Sequence, residues 1–336
     1  MNVVFITEGN TKLGLGHVFS CLSLYQAFRT ENCQVKIIIF GDKSVDKILT
    51  GTNYIKLDWQ EKKNENKLFD LIKNSDIVVI DSLSTKEYLY EKISLMIKVP
   101  VFIDYGNRIT YPKGIIINRT IFAEKIKYNK NKNNIYLLGT KYFPLTKAFW
   151  YVGDKKINDN IKDIMITFGG SDPREMTIKI LNYFINNHPN LNKWVVIGKG
   201  FINKTSAKFP KDKNTKLVYY PSGEEIKKIM LNSDVAISAG GQTLFELARI
   251  GTATIAVKVV ENQNFNIKGL EKTGFIDFAG NWNDKKILDK IGKLLMNLKN
   301  QKNRIKKMNI GRNLIDGYGS VRIANFLLGV ASSGQI

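Results

Sequence analysis

Cysteine is nearly absent: Cys21 and Cys33, twelve positions apart, are the two thiols in 336 residues. No Cys-x-x-Cys spacing occurs, and His17 and His188 are the only histidines. Neither a disulfide framework nor a structural zinc site is therefore indicated, and both thiols read as structural. Acidic side chains are also scarce, with 30 Asp and Glu against 51 Lys and Arg, a formal charge of +21. No apolar run approaches the roughly 18 residues of a membrane span, and a strand opens at Asn2 without a basic leader or small-residue cleavage site. A cytoplasmic protein with no integral membrane association is expected. Neither the Walker pattern nor Gly-x-Gly-x-x-Gly occurs, so neither common nucleotide fingerprint is available.

The positive charge makes anionic partners plausible, whether nucleic acid, lipid headgroups or a nucleotide-sugar. The lysines, however, are dispersed among asparagines and isoleucines, as in 125–134 and 299–307, and accompany no recognisable nucleic-acid module. A solvated lysine-rich surface without a specific nucleic-acid partner is the expectation.

A chain of this length exceeds what one core usually serves, and 43% hydrophobic residues suffice for two. Short apolar runs at 2–7, 35–40, 54–57, 77–80, 101–103 and 115–117 alternate with helical or polar stretches, which indicates a parallel sheet buried on both faces. The polar segment 151–162 lacks a clear period, and 164–168 restarts the pattern. Strands follow at 194–197, 216–219, 235–238 and 254–257, with helices at 175–186, 224–231, 243–250 and 263–273. The expected architecture is α/β, with two Rossmann-like parallel-sheet lobes, 1–155 and 156–336, and a central cleft at the carboxyl ends of the strands. An amphipathic tail at 320–330 makes a last helix that can pack back onto the first lobe.

The stretch 234–251 organises the second half. Ala239, Gly240 and Gly241 form a bare turn between a strand and the helix opening at Thr243. Glycines admit close approach of a ligand to the backbone, and unpaired amides at a helix start suit a phosphate. Glu246, three residues past Thr243, is placed to accept hydrogen bonds from a ribose; an ordinary glycine turn with a solvated Glu246 is the bland alternative. A second glycine turn, Gly169-Gly170-Ser171-Asp172-Pro173, opens another helix and offers amides and the Ser171 hydroxyl, with Pro173 suited to the first helical turn.

In the first half, Gly14-Leu-Gly16-His17 follows the first strand and sets a histidine at a helix start. The positive helix end disfavours imidazolium, so His17 can serve as a general base; a capping or packing histidine is the alternative. Cys21 lies four residues on, and a small buried core cysteine is expected there. Asp81 and Asp104 end apolar strands and either face the cleft or form turns. Glu261-Asn262-Gln263 offers amides that suit sugar hydroxyls, or a helix cap.

Taken in order, His17 after Gly14-x-Gly16, Asp81, Leu138-Gly139-x-x-Tyr142, Phe168-Gly169-Gly170-Ser171-Asp172, Ser238-Ala239-Gly240-Gly241-x-Thr243-x-x-Glu246 and Glu261-Asn262-Gln263 resemble the UDP-sugar hydrolases of the pseudaminic acid pathway. Related chains carry the label of spore-coat polysaccharide biosynthesis proteins. The second lobe is also similar to the lipid-linked N-acetylglucosaminyltransferase of peptidoglycan synthesis, which implies the two-lobed glycosyltransferase-B fold. The resemblance, spanning about residues 2–280, implies an inverting, metal-independent hydrolase acting on a small-molecule UDP-sugar; a monomer without a cofactor is expected. It implies catalytic roles for His17 and Asp81. The nucleotide would be held by Gly170, Ser171, Ala239, Gly240, Gly241, Gln242, Thr243 and Glu246. Gly16, Tyr142, Asn262 and Gln263 would face the sugar. The chain departs from the family pattern at Ser82-Leu83, where an aromatic is favoured, and at Asp104-Tyr105, where the family has a doubled Asp. A glycosyltransferase using the same donor is the alternative enzyme, and a non-catalytic nucleotide-sugar or nucleic-acid binder is the alternative of another class.

Overall fold

The computed structural model describes residues 1–10, 14–128, 133–198, 200–201 and 209–334. The chain divides into two compact units, Met1–Trp150 with Gly317–Ile336, and Tyr151–Asp316. The expected boundaries of 1–155 and 156–336 are corrected accordingly. The linker joint falls a few residues earlier, and the last helix leaves the second unit for the first.

The first unit holds a seven-stranded sheet: β1 (Asn2–Gly9), β2 (Gln34–Gly41), β3 (Tyr54–Lys56), β4 (Ile77–Asp81), β5 (Val99–Ile103), β6 (Gly114–Asn118) and β7 (Asn134–Leu138). Their order is β3-β2-β1-β4-β5-β6-β7, and every pairing is parallel. Because side chains alternate across a strand, the continuous apolar runs feed two cores at once. Val3, Phe5, Ile77 and Val79 enter one core, while Val4, Ile6, Val78 and Ile80 enter the other. The first is covered by α1 (Gly16–Thr30) through Val18, Leu24 and Phe28. The second is covered by α2 (Glu65–Ile72) and α3 (Glu87–Met96) through Leu68, Ile72, Leu89 and Ile93. The chain's final helix, α10 (Gly319–Ser333), adds Ile323, Ala324 and Leu327 to the first core.

The second unit repeats the scheme with six parallel strands, β8 (Asp163–Thr167), β9 (Asn192–Ile197), β10 (Thr215–Tyr219), β11 (Val235–Ala239), β12 (Ala253–Lys258) and β13 (Ile276–Asn281), ordered β10-β9-β8-β11-β12-β13. One face is covered by α4 (Met176–Asn187) and α8 (Ile287–Leu298), whose Ile180, Phe184, Ile291 and Leu295 are buried with strand residues. The remaining helices are α5 (Gly223–Asn232), α6 (Thr243–Ile250), α7 (Asn264–Thr273) and α9 (Gln301–Leu314). β7 and β13 escape the sequence reading for a physical reason. β7 is a half-exposed sheet edge, and β13 is interrupted by Asp277 and Gly280 and pairs through an irregularity at Ala256/Val257. Cys21 and Cys33 are free and buried, and among the described residues no helix is long and apolar enough to cross a membrane.

Docking of α10 depends on one glycine. A Cβ on Gly319 would sit 2.1 Å from the Phe143 carbonyl oxygen and 2.8 Å from its nitrogen, and backbone cannot yield as a side chain does. Gly319→Ala is expected to lower the unfolding free energy by at least about 1–3 kcal/mol, the range for overpacked sites. Chemical denaturation checks this, and an unchanged midpoint would show that α10 is not seated as described.

Candidate active site

Strand order reverses once in each sheet, between β1 and β4 in the first unit and between β8 and β11 in the second. Loops leaving the carboxyl ends of two such strands diverge, and ligands of open α/β sheets bind at these switch points. His17 and Asp81 fall at the first switch point. The glycine turns fall at the second.

In the first unit, Thr7 on β1 pairs in register with Asp81 at the end of β4, so both strands end at one level. The chain leaving β1 passes through Gly14, whose φ of +89° suits glycine, and enters α1 at Gly16. His17 is thus the second residue of α1, with Nδ1 2.6 Å from Oδ1 of Asp81. A carboxylate can only accept, so Nδ1 donates and Nε2 is left as the nitrogen that can take a proton. This orienting partner was not legible in sequence, where the helix start alone was assigned that influence.

Two residues that sequence reasoning missed complete the cluster. Tyr105, two residues past β5, donates its hydroxyl proton to Asp81 Oδ1 at 2.7 Å. Arg119, following β6, donates from Nη2 to the Tyr105 oxygen at 2.8 Å, while its Nη1 lies 3.7 Å from Asp81 Oδ2. Asp81 is 1% exposed and Arg119 7%. Burial works against ionisation of Asp81, but the charges of His17 and Arg119 and the hydrogen bonds from His17 and Tyr105 outweigh it, holding the carboxyl below its ordinary range. Cys21 is sealed in the core, and burial first, then the Asp81 charge, push its thiol well up, which leaves it unsuited to nucleophilic attack.

The loop after Asp81 is held from both sides. Buried Glu8 accepts from the backbone nitrogens of Leu83 at 2.8 Å and Ser84 at 3.2 Å, and Arg108 donates to the carbonyls of Leu83 at 2.7 Å and Ser82 at 3.1 Å. Asp104 serves as a turn former. Its oxygens take hydrogen bonds from the backbone of Gly106 and Asn107 and from the hydroxyls of Tyr111 and Tyr128. Gly16 is exposed at the start of α1, with open space where a Cβ would go. Tyr142 lies past β7, half-buried against the first core, three strands or about 14 Å of sheet from β4. Its neighbour Phe143 packs under the Arg119 guanidinium, 5.7 Å from the ring centroid.

In the second unit, Gly169 turns the chain with a φ of +78°, and Gly170 and Ser171 are exposed beyond it. α4 begins at Met176, so Pro173 precedes the helix and does not occupy its first turn. One amide of that turn is already filled, since Thr177 N donates to Asp172 Oδ2 at 2.6 Å. Gly198 and Gly200, also missed, pack directly on this turn. A Cβ on Gly198 would lie 2.4 Å from the Gly169 oxygen, and Gly200 N donates to the Gly170 oxygen at 2.7 Å. A Gly-x-Gly spacing after the apolar run of β9 was the available signal.

The turn after β11 behaves differently at its two glycines. A Cβ on Gly240 would come within 2.4 Å of Ile267 on α7, whereas Gly241 faces open space. Ala239 is the buried last residue of β11, and Gln242 and Thr243 are half-buried at the start of α6, where the side chain of the capping residue Gln242 makes no cap hydrogen bond among the described residues. Gln263 is committed to the turn itself. Its Oε1 accepts from Gly240 N at 3.3 Å and Val259 N at 3.0 Å, and Asn266 donates to the Gly240 oxygen at 3.3 Å. Asn262 beside it is exposed in the short helical turn Glu261–Gln263.

Glu246 sits in the first turn of α6. Part of its surface is open, yet packed atoms surround it, and among the described residues no hydrogen bond or ion pair meets its carboxylate. Burial pushes the carboxyl up from 4.5 to about 7. A carboxyl raised on folding contributes stability that is present below 4.5 and lost as pH rises through about 7. Glu246→Gln, which stays neutral, is expected to flatten the loss of melting temperature between pH 5 and pH 8; an unchanged slope would show the carboxyl to be solvated. Among the described residues no group of three or more His, Cys, Asp or Glu is assembled for a metal.

The fold is of the glycosyltransferase-B type and matches that of solved proteins of this class. The structure of MurG from Acinetobacter baumannii superposes with a TM-score of 0.67 at 15% identity, covering 98% of this chain and 100% of that one. The model of the glycosyltransferase family 28 C-terminal domain matches residues 164–316. Among curated proteins, the chain is 26% identical over 265 residues to the pseudaminic acid cytidylyltransferase and UDP-2,4-diacetamido-2,4,6-trideoxy-beta-L-altropyranose hydrolase of Helicobacter pylori, covering 78% of this chain and 45% of that protein. It is 22% identical over 338 residues to the spore coat polysaccharide biosynthesis protein SpsG of Bacillus subtilis, covering 97% of this chain and 98% of that one. The resemblance carried by the motifs is thus found over most of the chain. The chain spans about half the length of two of the curated relatives it matches, 45% in the Helicobacter case, and nearly all of SpsG.

Proposed function

We propose that this chain hydrolyses a UDP-linked diacetamido-trideoxy sugar to free sugar plus UDP, within nonulosonic (pseudaminic) acid or surface polysaccharide biosynthesis. The observation that carries the reading is the His17–Asp81 pair, with Nδ1 anchored at 2.6 Å and Nε2 left to accept a proton. It is supported by the glycine turns at the second unit's switch point and by the activity for which the Helicobacter relative is named.

In the proposed reaction, Nε2 of His17 takes a proton from water as the water oxygen bonds to the anomeric carbon. The bond from that carbon to the diphosphate oxygen breaks, and UDP leaves with the electron pair, inverting the configuration. A base placed this way is worth about 10²- to 10⁴-fold in rate. Backbone amides of Gly170, Ser171, Gly241, Gln242 and Thr243 would hold the diphosphate, and Glu246 the ribose. Gly240 and Gln263 serve by shaping the turn. Asn262, exposed beside it, is the better candidate of the two amides for sugar contact.

A second reading, favoured by the family 28 match over 164–316, is transfer to an acceptor, with His17 deprotonating an acceptor hydroxyl in place of water. Incubation with a panel of UDP-sugars and no acceptor separates the two. UDP release from an acetamido sugar is expected; release that requires an added acceptor would establish transfer.

A further inference from the structure

Two features of the first unit's site go unused by this mechanism: the buried Arg119 and the Tyr105 hydroxyl. A buried carboxylate favours the protonated form of an imidazole it touches, whereas a general base must be unprotonated. A counter-charge placed near Asp81 reduces that bias.

The geometry around Asp81 is unlike an ordinary buried ion pair. An arginine that braces a carboxylate does so through two parallel hydrogen bonds. Arg119 makes none to Asp81: Nη1 and Oδ2 are 3.7 Å apart, and both are buried with no hydrogen-bond partner among the described residues. The connection instead runs through Tyr105, which accepts from Arg119 Nη2 at 2.8 Å and donates to Oδ1 at 2.7 Å. Acceptance from a cation polarises the phenol, so its proton is offered more strongly to the carboxylate. Burial drives the Tyr105 hydroxyl well above its ordinary range, which keeps that proton in place. The guanidinium is fixed over the rings of Tyr105, 5.2 Å from the centroid, and Phe143, 5.7 Å. The other groups around Asp81 are neutral: Thr7 on β1 donates to its carbonyl at 3.0 Å, and Cys21 on α1 keeps its proton.

We propose that Arg119 and Tyr105 are positioning residues that balance the charge of Asp81, so that the carboxylate orients His17 without holding it as imidazolium. Arg119 supplies a counter-charge at a distance, and Tyr105 shares Oδ1 with Nδ1 of His17, its hydroxyl oxygen lying 3.1 Å from that nitrogen. The inference rests on His17 being the general base. It adds that the base is set by side chains from the loops after β5 and β6.

The test is the NMR titration of the His17 ring, which needs no substrate. The chain has two histidines, so His188→Gln assigns the spectrum. Arg119→Met and Tyr105→Phe are each expected to move the His17 midpoint to higher pH than in the wild type, by about one unit or more for Arg119→Met. Arg119→Lys, which retains the charge, should return most of that shift. The acid limb of the turnover profile should move with the titration, leaving the UDP dissociation constant in place. If Arg119→Met does not fold, Tyr105→Phe, which keeps the ring, carries the test with a smaller shift in the same direction. A midpoint that is unchanged or lower in the folded variants would overturn the proposal. Wild-type protein inert toward every UDP-sugar would overturn the hydrolase reading alone, since the titration stands without turnover.

Discussion

His17→Asn is expected to leave UDP affinity nearly unchanged while lowering turnover by about 10²- to 10⁴-fold, the usual worth of a general base. Asparagine keeps a polar group of similar reach to Nδ1 and can still bond Asp81, so the first unit should keep its fold. It has no equivalent of Nε2, the nitrogen left free once Nδ1 is 2.6 Å from the carboxylate. Nucleotide contacts are assigned to the second unit, so binding and chemistry should separate. Calorimetry with UDP and a turnover assay on the same preparation check this. A parallel loss of affinity would place His17 in nucleotide binding, and retained turnover would remove it from the reaction.

Asp81→Asn is expected to cost as much in rate and to destabilise the protein as well. An amide at that place can donate to Nδ1, which turns the imidazole to the tautomer protonated at Nε2 and leaves it unable to accept. The same change strips Arg119 of its counter-charge. Because Arg119 is 7% exposed, the uncompensated cation should lower stability by about 3–5 kcal/mol, the range for a broken buried pair. Turnover should fall about 10²- to 10⁴-fold, and the denaturation midpoint should drop in the same variant. Full stability with low turnover would show Arg119 to be solvated; low stability with full turnover would make the carboxylate structural only.

The individual candidate residues were more legible in the sequence than their partnerships. His17 and Asp81 stand out because each follows a short apolar run, where a strand of a parallel sheet must end. Their contact was not legible, since they are 64 positions apart and meet only because β4 pairs directly with β1. Tyr105 and Arg119 come from the loops after β5 and β6 with no motif around them, one of 14 tyrosines and one arginine in a cation-rich chain. The place where the family's doubled Asp becomes Asp104-Tyr105 marked the right position without revealing the hydroxyl's use. The orientation of Gln263 was not legible for a related reason. Composition says that an amide can meet a sugar, but only side-chain orientation shows its oxygen turned back on Gly240 and Val259. The glycines divide similarly: Gly240 and Gly241 are identical in sequence, yet one is packed under α7 and the other faces open space. The tail was foreseen as a helix able to pack back onto the first lobe, and the contacts that seat it there join residues far apart in sequence, such as Ser320 Oγ donating to the Leu145 oxygen at 2.8 Å.

The central claim is that water, activated by His17, attacks the anomeric carbon and leaves phosphorus untouched. Hydrolysis of the UDP-sugar in ¹⁸O-water, read by mass spectrometry of both products, tests it most directly. The account predicts the heavy oxygen on the released sugar and none on UDP. Label on the nucleotide would mean attack at phosphorus, and the assignment of His17 as the base for anomeric hydrolysis would have to be abandoned.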